Sequence, residues 1–373
     1  MGELAELLRL HADRYLERFG PRMPASHRRA LADIQACRTP ELGGRLYQCE
    51  DHQCGQRLYK YHSCSNRSCP KCQGAQTARW LRQRRQEILP VPYFHLVFTV
   101  PSELRPLFRQ HQRVLYRLLM QAAAQALIRL AADPRFLGGR IGVLCLLHTW
   151  TGALLYHPHV HCLATAGALK PDGSAWLPSH PKFLVPVHAL SKLLRGRFLA
   201  MARKALPGVR LPASVRQTSW VVYCKAALQG TDAVLEYLGR YLHRVAITNR
   251  RILSVTDREV SFRFKDRKER RWKTVRLEPA EFIRRFLQHV LPRDFHKVRY
   301  FGLWSPSQRK ALNRARELLT ASQQQPEQPE TTALQVEASA SARPLHPMLC
   351  PRCRKAFLIL VETVPRRNRA PPC

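Results

Sequence analysis

Three histidines alternate along Tyr156-His157-Pro158-His159-Val160-His161-Cys162. In an extended strand alternate side chains share a face, roughly 6.5–7 Å apart along it. Imidazoles so placed can converge on one divalent ion. Pro158 cannot donate to a sheet ladder, so it marks the strand's entry and leaves His159 and His161 inside the strand. Val143 to Trp150 reads as a buried strand, with Gly152-Ala153-Leu154 as a turn. A hairpin closing on Ala153-Leu154 sets His148 opposite His159 on the same face. A lone histidine there would be read as a surface or core residue. His-x-His facing a third histidine instead predicts a metal site of His148, His159 and His161.

Twelve cysteines form the second set. The chain has no run of 18 apolar residues and no signal-like apolar core in Met1 to Arg22, so a cytoplasmic protein without a membrane span is expected. Cysteines in such a chain point to metal rather than disulfides. Cys49-x4-Cys54 followed by Cys69-x2-Cys72 is zinc-ribbon spacing, and four thiolates satisfy a structural Zn²⁺. Cys37, Cys64, His52 and His62 are left over, for a second site or as unliganded core residues. Cys350-Pro-Arg-Cys353 is half a zinc knuckle, which Cys373 alone does not complete.

The net charge of +36 over 373 residues points to a polyanionic partner, most simply nucleic acid. Ribosomal and membrane-surface proteins share the bias, but they are usually smaller or carry basic amphipathic helices. Between positions 240 and 276 Arg and Lys far outnumber Asp and Glu. Arg240, Arg244, Arg250, Arg251, Arg267, Lys268, Arg270 and Arg271 are the expected phosphate contacts there. Tyr237 and Tyr241 lie in a helical pattern that Thr231 or Asp232 can cap. At i,i+4 they share one face. Two tyrosines so spaced are more often core residues; a histidine metal site in a strongly basic chain favours a chemical role.

The elements that must position these groups follow in order. Leu4 to Ala36 reads as two helices broken at Gly20-Pro21 and Pro24. Tyr93 to Val100 reads as a strand, Leu104 to Ala132 as one long helix, Val187 to Leu206 as a helix and Gln217 to Cys224 as a strand. Ile252 to Val275 reads as strands, and Glu278 to Val290 as a helix. Ala321 to Met348, rich in Gln, Pro, Glu, Ala and Ser, is expected to be a disordered linker. The fold class expected is α+β, a mainly antiparallel sheet with packed helices behind a small zinc-binding domain. The domains expected are 1–90, helical and zinc-binding; 91–305, catalytic, with a basic β-ribbon; 306–348, a helix end and linker; and 349–373, a tail.

Taken together these residues resemble the two-tyrosine rolling-circle insertion-sequence transposases. His159-Val160-His161 resembles the His-hydrophobic-His (HUH) motif of single-strand endonucleases, and Tyr237-x3-Tyr241 their paired nucleophiles. Cys49 to Cys72 resembles the family's N-terminal zinc domain. Cys37-Arg-Thr, Leu42-Gly-Gly, His148-Thr-Trp and His243-Arg-Val-Ala-Ile are similar to family stretches too. The resemblance spans about residues 5 to 305. It departs at Cys49-x4-Cys54, longer than the usual two-residue spacer, which leaves His52 as an alternative ligand. It implies an HUH endonuclease-like fold and a DNA transposase that nicks and rejoins single-stranded ends of a mobile element through a 5′-phosphotyrosine. His148 would be the third ligand of Mg²⁺ or Mn²⁺; imidazole ligation suits Mn²⁺ better. Two readings from other classes remain: a noncatalytic single-strand-binding or regulatory protein of the same fold, and a zinc hydrolase acting on a small substrate. Oligomeric state is not legible.

Overall fold

Proline and glycine punctuate the N-terminal region, and the computed structural model follows them. It describes residues 3–72, 80–82, 85, 87–228, 233–234, 239, 245–266, 269–323 and 348–367. Helix α1 (Leu4–Phe19) buries Leu4, Leu7, Leu8 and Tyr15 along one stripe. It ends where Gly20-Pro21 opens a 3-10 turn. Pro24 then caps α2 (Ala25–Gln35). Strands β1 (Gly44–Cys49) and β2 (Arg57–Tyr61) pair antiparallel.

β3 (Tyr93–Thr99) begins the central part. The single helix expected over 104–132 is two, α3 (Arg105–Gln110) and α4 (Gln112–Ala131). His111 leaves helical space at φ −118°, ψ 43°. The break lets Phe108 pack on both Tyr116 and Phe198, at centroid distances of 5.9 and 5.6 Å. Next come β4 (Gly142–Trp150), β5 (Tyr156–Thr165), the short pair β6 (Gly167–Leu169) and β7 (Trp176–Pro178), and α5 (Val187–Ala205). The strand expected over 217–224 starts later, as β8 (Val222–Leu228), after a helical turn at Ser214–Gln217. Trp220 accounts for the shift. Its indole Nε1 donates to Val215 O and its carbonyl accepts from Ser191 Oγ, so the apolar alternation there serves the helical layer, not a ladder.

β9 (Ile252–Val255), β10 (Val260–Lys265), β11 (Trp272–Leu277), α6 (Pro279–Leu287), β12 (Val298–Gly302), α7 (Arg309–Gln323), β13 (Met348–Leu349) and β14 (Phe357–Val364) complete the chain. The central sheet has the order β12-β4-β5-β3-β8, antiparallel throughout. On one face Phe94, Phe98, Val143, Cys145 and Val160 pack against α3, α4 and α5. The opposite face carries Leu144, Leu146 and Leu163 in a smaller cluster with Leu89, Val234 and Tyr300. A third core joins α1, α2, α6 and the ribbon β11-β10-β9. The architecture is α+β with antiparallel sheets.

The chain's two ends meet in one sheet of order β13-β14-β1-β2, so residues assigned by sequence to a separate tail share a sheet with the N-terminal region. Tyr237, Tyr241, Arg240, Arg244, Arg267, Lys268 and positions 324–347 of the expected linker lie outside the described residues. Among the described residues no helix is long and apolar enough to cross a membrane.

Candidate functional site

Strand register brings the histidines together. His148 of β4 stands directly opposite His159 of β5, and Leu146 opposite His161. His159 and His161 are two apart on one strand, so all three rings share a face. Ring centroids are 5.6 Å apart for His148–His159, 4.6 Å for His148–His161 and 5.0 Å for His159–His161. One ring nitrogen from each lies within 4.8 Å of the other two. His148 and His161 are 2% and 5% exposed, whereas His159 is half-buried, so the cluster opens to solvent on its side.

Neighbours fix which nitrogens face inward. His159 Nδ1 lies 2.7 Å from the His157 carbonyl, which can only accept; Nδ1 therefore carries the proton and Nε2 the lone pair. His161 Nδ1 lies 2.9 Å from Nε2 of His95 on β3, a contact that holds the ring plane of a ligand and in which either nitrogen can carry the proton. His157 is engaged elsewhere: its Nδ1 accepts from Arg105 Nη2 at 3.0 Å. Burial, and then the Arg105 charge, lower its pKa. His95 was invisible to sequence reasoning because one histidine in a strand carries no signal of its own. Its only trace is alternation with Val97 and Thr99.

The hairpin is braced at both ends. Tyr156 Oη is 2.6 Å from Tyr116 Oη, which ties the start of β5 to α4. Its turn inserts Leu154, fully buried and at φ 58°, into the core beneath the ribbon. His289 holds the turn from below. Its Nε2 donates to the Leu154 carbonyl and its Nδ1 accepts from Thr149 Oγ1, each at 3.2 Å. Burial first, then the Arg109 charge, push its pKa down to about 4, against the Leu154 hydrogen bond. Arg251, expected to meet phosphate, is committed to backbone instead. Its guanidinium donates to the carbonyls of Arg263 at 2.8 Å, Ala246 at 3.3 Å and Gly152. Five donors in a rigid fork suit such a clamp, and the basic count of the segment could not reveal it. Arg250, Arg270 and Arg271 are exposed, Arg271 beside Glu269 at 2.6 Å.

The zinc ligands group differently from the expected set. Cys49, Cys54, Cys69 and Cys72 do not form one site. Cys69 and Cys72 join Cys37 and Cys64, while Cys49 and Cys54 join Cys350 and Cys353. The physical reason is the path of the 64–72 loop. Asn66 donates to Asp33 of α2 at 3.0 Å, and Arg67 reaches the carbonyls of Phe295, Leu291 and Pro292, drawing the loop away from β1 and under α1 and α2. There Cys37, at the end of α2, approaches Cys72 to 3.5 Å and Cys69 to 3.7 Å, and Cys64 approaches Cys72 to 3.6 Å. A tetrahedron with Zn–S near 2.3 Å has S···S edges of about 3.8 Å, so these thiols stand at ligand separation. His52 and His62 are exposed and join neither group.

Comparison with known proteins agrees with these two parts. Residues 142–311 match a family model described as a putative transposase, and residues 7–100 match one described as a transposase zinc-binding domain. A putative transposase, y4qJ, of Sinorhizobium fredii is 37% identical over 391 residues, spanning 100% of this chain and 98% of its own. The transposase for insertion sequence element IS801 of Pseudomonas savastanoi pv. phaseolicola is 30% identical over 296 residues, 73% of this chain and 68% of its own. No solved structure matches the chain. With matches to a transposase zinc-binding domain and a putative transposase model, and 37% and 30% identity to two proteins named as transposases, the chain belongs to the IS91-type family of insertion-sequence transposases.

Proposed function

We propose that this transposase nicks and rejoins single-stranded DNA at insertion-sequence ends through a 5′-phosphotyrosine, as in rolling-circle transposition. The observation that carries the reading is the histidine face of the central sheet. It offers three convergent imidazoles, that of His159 with its Nε2 lone pair free, and the apolar part of that face also seats Val234, fully buried with Leu144, Leu146 and Tyr300. A Cβ on Gly239 would come within 3.1 Å of Leu81 of the same cluster. In sequence these two residues bracket Tyr237, with Tyr241 two beyond.

His148, His159 and His161 are the ligands for a divalent ion, Mg²⁺ or more suitably Mn²⁺. Such an ion would supply positive charge beside the scissile phosphate and offset the charge that develops there. Tyr237 or Tyr241 is the nucleophile. Its Oη forms a bond to phosphorus as the P–O3′ bond breaks; the phenolic proton is carried by solvent to the departing 3′ oxygen, which leaves as a hydroxyl. One ester replaces another, so a 3′-hydroxyl can later displace the tyrosine without ATP. Two tyrosines allow two such exchanges. Exposed Arg250, Arg270 and Arg271, with Arg240, Arg244, Arg267 and Lys268 from the sequence, supply phosphate contacts. Cys37, Cys64, Cys69 and Cys72 hold the zinc of the N-terminal domain.

The test is a denaturant-resistant protein–DNA adduct formed on a single-stranded insertion-sequence end with Mn²⁺. The wild type should form it, and Tyr237→Phe with Tyr241→Phe should not. An adduct that survives the double change overturns the tyrosine assignment. Tight binding with no nick and no adduct from the wild type favours the noncatalytic single-strand-binding reading.

A further inference from the structure

Four cysteines from the two ends of the chain stand together outside the zinc cluster of the 37–72 region. Cys49 Sγ is 3.7 Å from Cys353 Sγ, and Cys54 Sγ is 3.7 Å from Cys350 Sγ. All four sulfurs lie within 4.8 Å of one another. The separations match the edge of a tetrahedral zinc–thiolate site, about 3.8 Å for Zn–S near 2.3 Å. Cys49 and Cys350 are 1% and 0% exposed, packed with Tyr47 and Leu358.

Each pair sits on its own hairpin. In the first, Cys49 N donates to Gln56 O, and both Cys54 N and Gly55 N donate to Asp51 O, with Gly55 at φ 59° closing the turn. In the second, Cys350 N donates to Ala356 O and Arg354 N to Cys350 O, with Arg354 at φ 56°. The backbones therefore curl round each cysteine pair and turn the sulfurs to a common point. The hairpins are joined edge to edge: β1 pairs β14 from Gly44↔Val364 to Cys49↔Leu358. Glu50 N donates to Phe357 O at 2.9 Å, and Arg352 Nη1 to Cys54 O at 3.0 Å. The two hairpins have the arrangement of a zinc ribbon whose halves are separated by about 300 positions of sequence. The second half lies beyond both regions that match the family models, which end at residues 100 and 311.

We propose that Cys49, Cys54, Cys350 and Cys353 bind a second zinc ion, which fastens the C-terminal hairpin to the N-terminal sheet. β13 and β14 bury little apolar surface: Leu349, Ile359, Leu360 and Val361 are all about half exposed. A hairpin so poorly buried is marginal by itself. Metal binding supplies the missing folding free energy, as it does in small metal-dependent domains. The zinc thus makes attachment of the tail conditional on metal, without touching the histidine site.

Metal analysis of the full-length reduced protein tests the count. The wild type should hold two zinc ions per chain, and Cys350→Ser with Cys353→Ser should hold one. Two ions in that variant, or one in the wild type that the variant keeps, overturns the site. A second measurement on otherwise native protein tests the clamp. With a protease site inserted between residues 330 and 340, the cleaved ends should stay together on a sizing column and separate after chelation. Ends that part while zinc is bound, or stay joined after it is stripped, overturn the clamp. Cobalt substitution distinguishes loss of ligands from global misfolding. In the double variant the thiolate charge-transfer absorbance should fall by about half, with the cluster at Cys37, Cys64, Cys69 and Cys72 retained.

Discussion

His95 Nε2 lies 2.9 Å from His161 Nδ1, and the two rings are nearly parallel, 4° between planes at a centroid distance of 5.2 Å. His95 faces Leu163 in the β3–β5 ladder, so it reaches His161 diagonally across the pair. If His161 gives its Nε2 lone pair to a metal, Nδ1 must carry a proton, and His95 is its acceptor. Losing such a partner typically costs 10–100-fold in metal affinity. We therefore expect His95→Ala to weaken Mn²⁺ binding about 10–100-fold, while His95→Gln, whose amide oxygen can accept, recovers part of the loss. Titration of Mn²⁺ by electron paramagnetic resonance reads this directly. Equal affinity in wild type and His95→Ala would remove the positioning role.

The histidine trio was legible because a strand's period of two and a short hairpin leave few registers, and His148 falls opposite His159 in the one observed. The zinc pairing was not. Each half-knuckle is local, but which two halves share an ion depends on how loops about 300 residues apart are drawn together, and spacing holds no such information. The backbone bonds of Arg251 were hidden for a related reason. A guanidinium that grips three carbonyls and one that awaits a phosphate look alike in composition. The break at His111 was missed because Phe108 and Leu115 keep helical spacing on either side of it, and it serves tertiary packing with Phe198 and Tyr116.

Cys69→Ser and Cys37→Ser should behave alike, each losing one zinc equivalent and lowering the thermal midpoint, because both sulfurs belong to one cluster. Cys49→Ser should leave that cluster's zinc in place. Metal content measured on the three purified variants decides it. Loss of the same ion in Cys49→Ser and Cys69→Ser, with Cys37→Ser unaffected, would restore the grouping suggested by spacing alone.

Salt dependence separates the arginines of the ribbon. Replacing Arg267, Lys268, Arg270 and Arg271 with Ala should flatten the slope of log K against log salt by roughly 0.7 for each phosphate no longer neutralised. Arg251→Ala should leave that slope unchanged. It should lower stability by about 1–3 kcal/mol, because the carbonyls it serves are deprived of a charged donor. A flatter slope in Arg251→Ala at unaltered stability would return this residue to the DNA surface.

His289 gives the fold a defined acid sensitivity. It is held neutral, with its pKa pushed down to about 4, by burial between Thr149 and the Leu154 carbonyl. In the unfolded chain an imidazole titrates near 6.5. As pH falls below that value the unfolded state takes up a proton that the folded state refuses, so stability is present above about 6.5 and is lost progressively towards 4. The loss from this one group is about 2 kcal/mol by pH 5, at 1.36 kcal/mol per pH unit. His27, also held down to about 4 by burial and then the Arg109 charge, adds a loss of the same sign. His289→Gln keeps an amide donor and acceptor near Leu154 and Thr149 but cannot titrate. The variant should melt lower than wild type at pH 7 and lose less between pH 7 and pH 5, because His27, His157 and the exposed groups still respond but position 289 no longer does. Thermal unfolding of both proteins across that range, at one metal concentration, gives the two slopes. Parallel curves would mean that the imidazole bracing the histidine hairpin is not what makes this fold yield to acid.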